Sequence, residues 1–320
     1  MRILVAGATG AIGRNLVPLL RAAGHQVAGT TRAEAKTDII RQLGGEPFVA
    51  DGLDATSVRR AVEVAKPDVI VHEMTELAGA SDLRHFDRAF AVTNRLRTEG
   101  TDHLLATARD SGVKHFVAQS FCGWPFARIG CAVKSEEDPL DDKPPQQLRR
   151  SLDAIRYLET TVSKAHEVNG IVLRYGAFYG PHTGLFDGDF IEQIERRRVP
   201  LIGSGEGWWS FVHIANAAAA TMLAIERGEP GEIYNIVDDE PAPVREWLPA
   251  LAALLQTRQP RHVPAWLARL VAGRHLVVMM TEARAGSNAK AKRDLGWRPQ
   301  HPSWRQGFSE LVEQRRTTPR

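Results

Sequence analysis

Short apolar runs and helical stripes take turns along this chain. Ile3, Leu4, Val5 and Ala6 form an uninterrupted apolar run with β-branched members. A run without polar alternation suits a parallel strand buried on both faces. Leu16, Leu19, Leu20 and Ala23 then recur at helical spacing, and Gly24 supplies a helix stop. The same exchange repeats downstream. Further strands are expected at Gln26–Thr30, Pro47–Ala50, Val69–His72, Lys114–Ser120, Gly170–Tyr175 and Gly231–Val237. Helices are expected at Ala33–Leu43, Ala55–Ala65 (with Asp54 as its cap), Arg84–Ser111, Leu148–His166, Phe190–Arg198, Ala215–Glu226 and Val244–Leu255. Strands alternating with helices predict an α/β fold built on a doubly wound parallel sheet.

The first strand-to-helix turn carries the strongest chemical signal. It reads Gly7-Ala8-Thr9-Gly10-Ala11-Ile12-Gly13. Gly7 allows a tight turn out of the strand, Gly10 lets backbone approach a pyrophosphate, and Gly13 lets the helix pack closely on the sheet. Phosphates would then rest on the unpaired N–H groups and positive dipole end of the helix. Gly7, Thr9, Gly10, Ala11, Ile12 and Gly13 are therefore the expected cofactor cradle of a Rossmann-type fold. A fold that reads NAD usually places an acid about twenty residues past the glycines. Here Thr30, Thr31 and Arg32 occupy that window. Hydroxyls and a guanidinium fork suit a 2′-phosphate, so NADP(H) is expected in preference to NAD(H). Arg14 can add charge from the helix start.

Composition narrows the partners. The chain has 320 residues, 43% of them hydrophobic and 25% charged, which is ordinary for a globular protein of about two domains. A net charge of +3 does not imply a nucleic-acid partner. Cys122 and Cys131 make neither a metal cluster nor a disulfide framework and fit a reducing cytoplasm. No signal peptide precedes the first strand, and the most apolar stretch, Ala215–Ile225, is too short to span a bilayer.

Several segments carry a family resemblance. They are the glycine turn, Asp51-Gly52-Leu53-Asp54 after the third strand, Asn94 with Gly100-Thr101 and Leu104-Leu105, Gly176-Ala177-Phe178-Tyr179-Gly180-Pro181, and the closing Leu295-Gly296-Trp297-Arg298-Pro299. Together they resemble the extended short-chain dehydrogenase/reductase superfamily, in its epimerase/dehydratase branch. The resemblance implies a Rossmann-type domain, residues 1–175 with about 211–238, and a smaller C-terminal substrate lobe, residues 176–210 and 239–320. It implies a homodimer through the two long helices. It places Asp51 and Gly52 at the adenine, His72 at the cofactor's edge, and Asn94 as a tie from helix to strand. Ser120, or else Cys122, stands near the place of a serine that meets substrate, with Trp124-Pro125-Phe126 as a pocket wall. Tyr175 replaces a usual proline at the cleft, while Tyr179 reads as wall packing.

One departure affects the chemistry. The family's catalytic pair is Tyr-x-x-x-Lys, followed four residues later by a glutamate. Glu159 fits that glutamate, which puts Ser151 at the tyrosine place and Ile155 at the lysine place. Tyr157 lies about 200° round the helix from Ile155. A proton donor must then come from Ser120, Tyr175, His182, Glu73 or water. Trp209 and Ser210 also replace the arginine-bearing step used on sugar diphosphates, which points to a small apolar or aromatic substrate. The first reading is an NADP(H)-dependent oxidoreductase acting on a small carbonyl or alcohol, with Ser120 and Tyr175 at the reacting oxygen. Two alternatives stand beside it: a non-redox isomerase, lyase or aldolase-like enzyme, and a protein that senses NADP(H) without turnover.

Overall fold

The computed structural model describes residues 1–77, 85–184 and 190–317. Its centre is a sheet of seven strands: β1 (Arg2–Ala6), β2 (Gln26–Thr31), β3 (Glu46–Val49), β4 (Val69–His72), β5 (His115–Phe121), β6 (Asn169–Tyr175) and β7 (Ile233–Ile236). Their order is β7-β6-β5-β4-β1-β2-β3, and every pair is parallel. The chain thus starts in the middle of the sheet, winds to one edge, then returns and winds to the other. Such a reversal opens a crevice at the carboxyl ends of the strands.

Helices cover both faces. α1 (Ala11–Ala22) and α6 (Ile214–Arg227) pack on one side, where Ile3, Val5, Leu16, Leu20, Val71, Val117, Leu173 and Ala217 share a core. α3 (Ala55–Ala65), α4 (Thr101–Asp110) and α5 (Gln146–Ser163) pack on the other with Leu4, Ile70, Phe116, Ala118, Val172 and Leu158. Alternate residues of each strand thus face opposite helix layers, as the two-residue strand period demands. Both faces are covered, which explains why the strands read as unbroken apolar runs. The Asp54 carboxylate caps α3, accepting from the N–H groups of Thr56 and Ser57. A third core, around Tyr179, Phe211, Trp247, Trp304 and Phe308, belongs to segments after β6.

Two expected helices differ. The span expected at Ala33–Leu43 is a 3₁₀ turn, Glu34–Lys36, followed by α2 (Thr37–Gln42). The long helix expected from Arg84, which lies outside the described residues, is interrupted. It comprises Phe86–Ala89, Ala91–Arg95, a π-helical turn Leu96–Gly100, and then α4. Apolar periodicity marks a helical face but does not encode a change of hydrogen-bond register.

Candidate active-site cleft

A cleft of about 1940 Å³ follows the carboxyl ends of β1, β2, β4, β5 and β6. Small-molecule pockets usually hold about 300–1,000 Å³. This one has room for a dinucleotide and a second molecule.

The glycine turn forms one flank. Gly7, Thr9, Gly10, Ala11, Ile12 and Gly13 all line the cleft. Gly7 has φ +94°, and a Cβ there would meet the Glu73 carbonyl. A Cβ on Gly13 would strike the Ala8 backbone, so this glycine sets the approach of helix to strand. A Cβ on Gly10 would meet the Gly7 carbonyl oxygen at 3.2 Å and, among the described residues, no other heavy atom within 4 Å. Helix α1 has no side-chain cap and no acid in its first turn. Its positive end is left for an anion, so this flank fits a dinucleotide pyrophosphate.

Thr31, Arg32 and Lys36 line the next part, with Asp51 and Gly52 beyond them. Thr30 accepts the Gly7 N–H on its hydroxyl, tying β2 to the turn. Arg32 is exposed and pairs with Glu76 at 2.7 Å. Asp51 caps its own turn, accepting the Leu53 N–H. His72 does not line the cleft. It is buried, its Nδ1 accepts the Met74 N–H, and its Nε2 faces the Leu96 carbonyl at 3.2 Å. Burial lowers its pKa to about 4, so the ring is neutral and holds the chain after β4 in place.

Ser120 also faces away from the cleft. Phe116, Ala118 and Ser120 are alternate residues of β5, and all three point to the α5 side. The Ser120 hydroxyl donates to Glu159 Oε1 at 2.7 Å, and Arg174 grips both oxygens of Glu159 at 2.7 Å. Gln119 and Phe121 take the cleft positions instead. Cys122 is buried beside Gly286, where burial pushes its thiol pKa up. Trp124 lines the cleft, whereas Phe126 lies under the Arg174 guanidinium.

On α5, Ile155 lines the cleft and Ser151 does not. Ser151 is fully buried and accepts a hydrogen bond from Asn94 Nδ2. The tie expected from Asn94 to a strand therefore runs to helix α5. Tyr157 is on the outer face, donating to Asp102 of α4. Tyr179 is buried in the third core and donates to Asp238. His182 lines the cleft.

Two groups at strand ends stand out. Tyr175 ends β6 and Glu73 follows β4; both are buried and both line the cleft. The Tyr175 hydroxyl lies 3.2 Å from Glu73 Oε1 and 2.7 Å from Thr221 Oγ1. Tyr175 donates to Glu73 Oε1, the direction that lowers the Glu73 pKa, and the Thr221 hydroxyl also reaches the Ala217 carbonyl at 2.8 Å. Burial raises the Glu73 pKa to about 8, with Tyr175 opposing the rise, so the carboxyl is neutral at pH 7. Among the described residues its second oxygen has no hydrogen-bond partner. Aromatic side chains wall the part of the cleft beside this pair. Phe86 stacks on Phe90 with centroids 4.2 Å apart, Trp124 meets Phe86 edge-on, and Phe178 packs on Tyr175. Among the described residues, no group of three His, Cys, Asp or Glu can hold a metal, and no helix is long and apolar enough to cross a membrane.

Sequence reasoning did not single out Phe121, Lys36 or Arg97, all of which line the cleft. Phe121 was one register step away. Lys36 is visible as a cation shortly after Arg32. Arg97 carries no signal, because its direction depends on the π-helical turn.

The doubly wound sheet and its glycine turn define a dinucleotide-binding protein of the Rossmann class. Its residues 3–237 match the model of the NAD dependent epimerase/dehydratase family, to which the chain belongs. It is 41% identical over 310 residues to the 3-diazoavenalumate denitrifying reductase of a Streptomyces species, an alignment covering 96% of this chain and 99% of that one. It is 27% identical over 265 residues to a 4-hydroxy-2-methyl-3-oxo-4-farnesyl-3,4-dihydroquinoline-1-oxide ketoreductase of Stigmatella aurantiaca, covering 78% and 72%. In fold it is similar to the UDP-glucose 4-epimerase of Thermotoga maritima, with a TM-score of 0.79, 22% identity and 99% of each chain covered.

Proposed function

We propose that the chain is an NADPH-dependent reductase of small aromatic molecules. The observation that carries this is the division of one cleft. A glycine turn with Thr31, Arg32 and Lys36 lines one part, and an aromatic wall of Phe86, Phe90, Trp124 and Phe178 lines another. When bound, the nicotinamide supplies a hydride. Gly10 and the start of α1 hold the pyrophosphate, while Arg32 and Lys36 take the 2′-phosphate. The aromatic side chains stack the acceptor and exclude water.

The acceptor favoured is an aryl diazo group. A carbonyl needs a hydride and a proton to become an alcohol. An aryl diazonium needs only a hydride: the C–N bond breaks, its electron pair leaves with dinitrogen, and the hydride pair forms the new C–H bond of the ring. Ser151 and Ile155 leave helix α5 without a proton relay, which suits the second stoichiometry, and the relative at 41% identity is named for a diazo substrate. Carbonyl reduction is the second reading. It is supported by the neutral Glu73 carboxyl, an acid inside the cleft. The test is NADPH consumption with an aryl diazonium carboxylate and with aromatic aldehydes, scored for dinitrogen release and for alcohol. Dinitrogen release supports the first reading and alcohol the second. No NADPH consumption with either would sink the reductase proposal.

A further inference from the structure

Arg97 is a charged side chain lining the cleft, and neither the sheet nor the glycine turn needs it there. It is 7% exposed. Among the described residues its guanidinium forms no ion pair, and its Nε has no hydrogen-bond partner. The carboxylate whose charge reaches it, Glu159, has both oxygens held by Arg174 and one also by Ser120. Burial brings the Arg97 pKa down to about 10, which still leaves it charged at neutral pH. A buried guanidinium without an anion carries a large desolvation penalty, which an anion entering the cleft would offset. The local backbone supports this. Arg97 sits in the π-helical turn Leu96–Gly100, an uncommon form that concentrates at functional sites. The Leu96 carbonyl in that turn faces the neutral His72 ring, and the Arg97 carbonyl accepts from the Thr101 hydroxyl.

We propose that Arg97 is an oxyanion-binding residue of the cleft, its fork taking a carboxylate or phosphate oxygen of the molecule held there. This rests on the reading of the cleft as a site for a dinucleotide and a substrate. Other residues are placed for the cofactor's phosphates: the start of α1 for the pyrophosphate, Arg32 and Lys36 for the 2′-phosphate. The favoured source of the anion is therefore the carboxylate of an aromatic acid.

The test compares wild type with Arg97→Met, which keeps length and removes charge, and Arg97→Lys. The probes are NADPH alone, then cinnamate and its methyl ester in the presence of saturating NADP⁺, all by calorimetry. Wild type should bind cinnamate at least about tenfold more tightly than the ester. Arg97→Met should abolish that preference, and Arg97→Lys should keep part of it. If Arg97→Met instead weakens NADPH by tenfold or more, the anion belongs to the cofactor and the site stands. If Arg97→Met changes neither, the proposal is overturned. Melting of the unliganded proteins supplies a second readout. Removing an unpaired buried charge should leave Arg97→Met as stable as wild type or more so, and a fall would show that Arg97 holds the fold through Glu159 and would overturn the proposal. A wild-type chain that binds no NADPH would sink the cofactor reading of the cleft. A cinnamate preference lost in Arg97→Met would even then carry the anion site.

Discussion

Glu73→Gln isolates the neutral acid of the cleft. The amide keeps the shape of the carboxyl and removes its titration. In the unfolded chain Glu73 loses its proton near the ordinary value of 4.5, whereas in the folded chain it keeps the proton to about pH 8. Between these values the folded state holds one more proton than the unfolded state, so stability falls as pH rises. The slope is about 1.4 kcal/mol per pH unit, which over the whole window is on the order of 5 kcal/mol. This stabilisation is fully present below pH 4.5 and is lost as pH approaches 8. Every other group, including the His72 ring whose pKa burial lowers to about 4, is common to the two proteins and cancels in the comparison. The assay is urea unfolding of both proteins in steps from pH 4.5 to pH 8.5. The advantage of Glu73→Gln over wild type should grow across the window and level off above pH 8. Two parallel profiles would refute a neutral buried Glu73. Tyr175 supplies the internal control. Its hydrogen bond lowers the Glu73 pKa, so Tyr175→Phe should move the levelling-off to higher pH.

Arg32→Ala should weaken NADPH binding by about tenfold or more and leave NADH unchanged, because only NADPH presents a 2′-phosphate to the guanidinium; equal losses for both cofactors in calorimetry would argue against this edge as the phosphate site. Gly10→Val should fold but lose cofactor, since a Cβ there meets the Gly7 carbonyl oxygen at 3.2 Å and can be accommodated by a small shift, whereas Gly13→Val should lower the melting temperature, since its side chain would strike the Ala8 backbone at 2.4 Å. Ser120→Ala should leave turnover within a few-fold of wild type and reduce unfolding free energy by about 1.5–3 kcal/mol, the usual weight of a hydrogen bond to a charged group; a large loss of turnover with unchanged stability would return Ser120 to the cleft.

The fold was legible because it depends on features a sequence shows directly. Burial on both faces makes β1, β4 and β5 unbroken apolar runs, and Gly7, Gly10 and Gly13 mark the turn that the sheet is wound around. The interruption at Leu96–Gly100 was not legible. A π-helical turn shifts the hydrogen-bond partner by one residue and leaves the stripe of Leu104, Leu105 and Ala108 unchanged. The direction of Arg97 was lost with it.

The chemistry of the cleft turned on a smaller quantity, the parity of a residue along its strand. Ile70 and His72 on β4, Ala118 and Ser120 on β5, and Val172 and Arg174 on β6 all face the α3, α4 and α5 layer. Val71, Val117, Leu173 and Tyr175 face the α1 and α6 layer, and Tyr175 reaches Thr221 there. A one-residue difference in alignment moves a side chain from one layer to the other. That is why Ser120, expected at the reacting oxygen, instead braces Glu159 and Arg174 beneath α5. The same parity accounts for what replaces it. With Ser151 buried under Asn94 and Ile155 on the cleft wall, α5 offers the cleft no proton and no charge. Two buried polar groups of the cleft sit elsewhere: Glu73, at the end of a strand, with Tyr175 and Thr221 behind it, and Arg97, in the π-helical turn. The acid–base and anion-binding roles proposed for this cleft therefore fall to a strand end and a distorted turn, and not to α5. Chemistry inferred from the α5 motif alone would misjudge this protein.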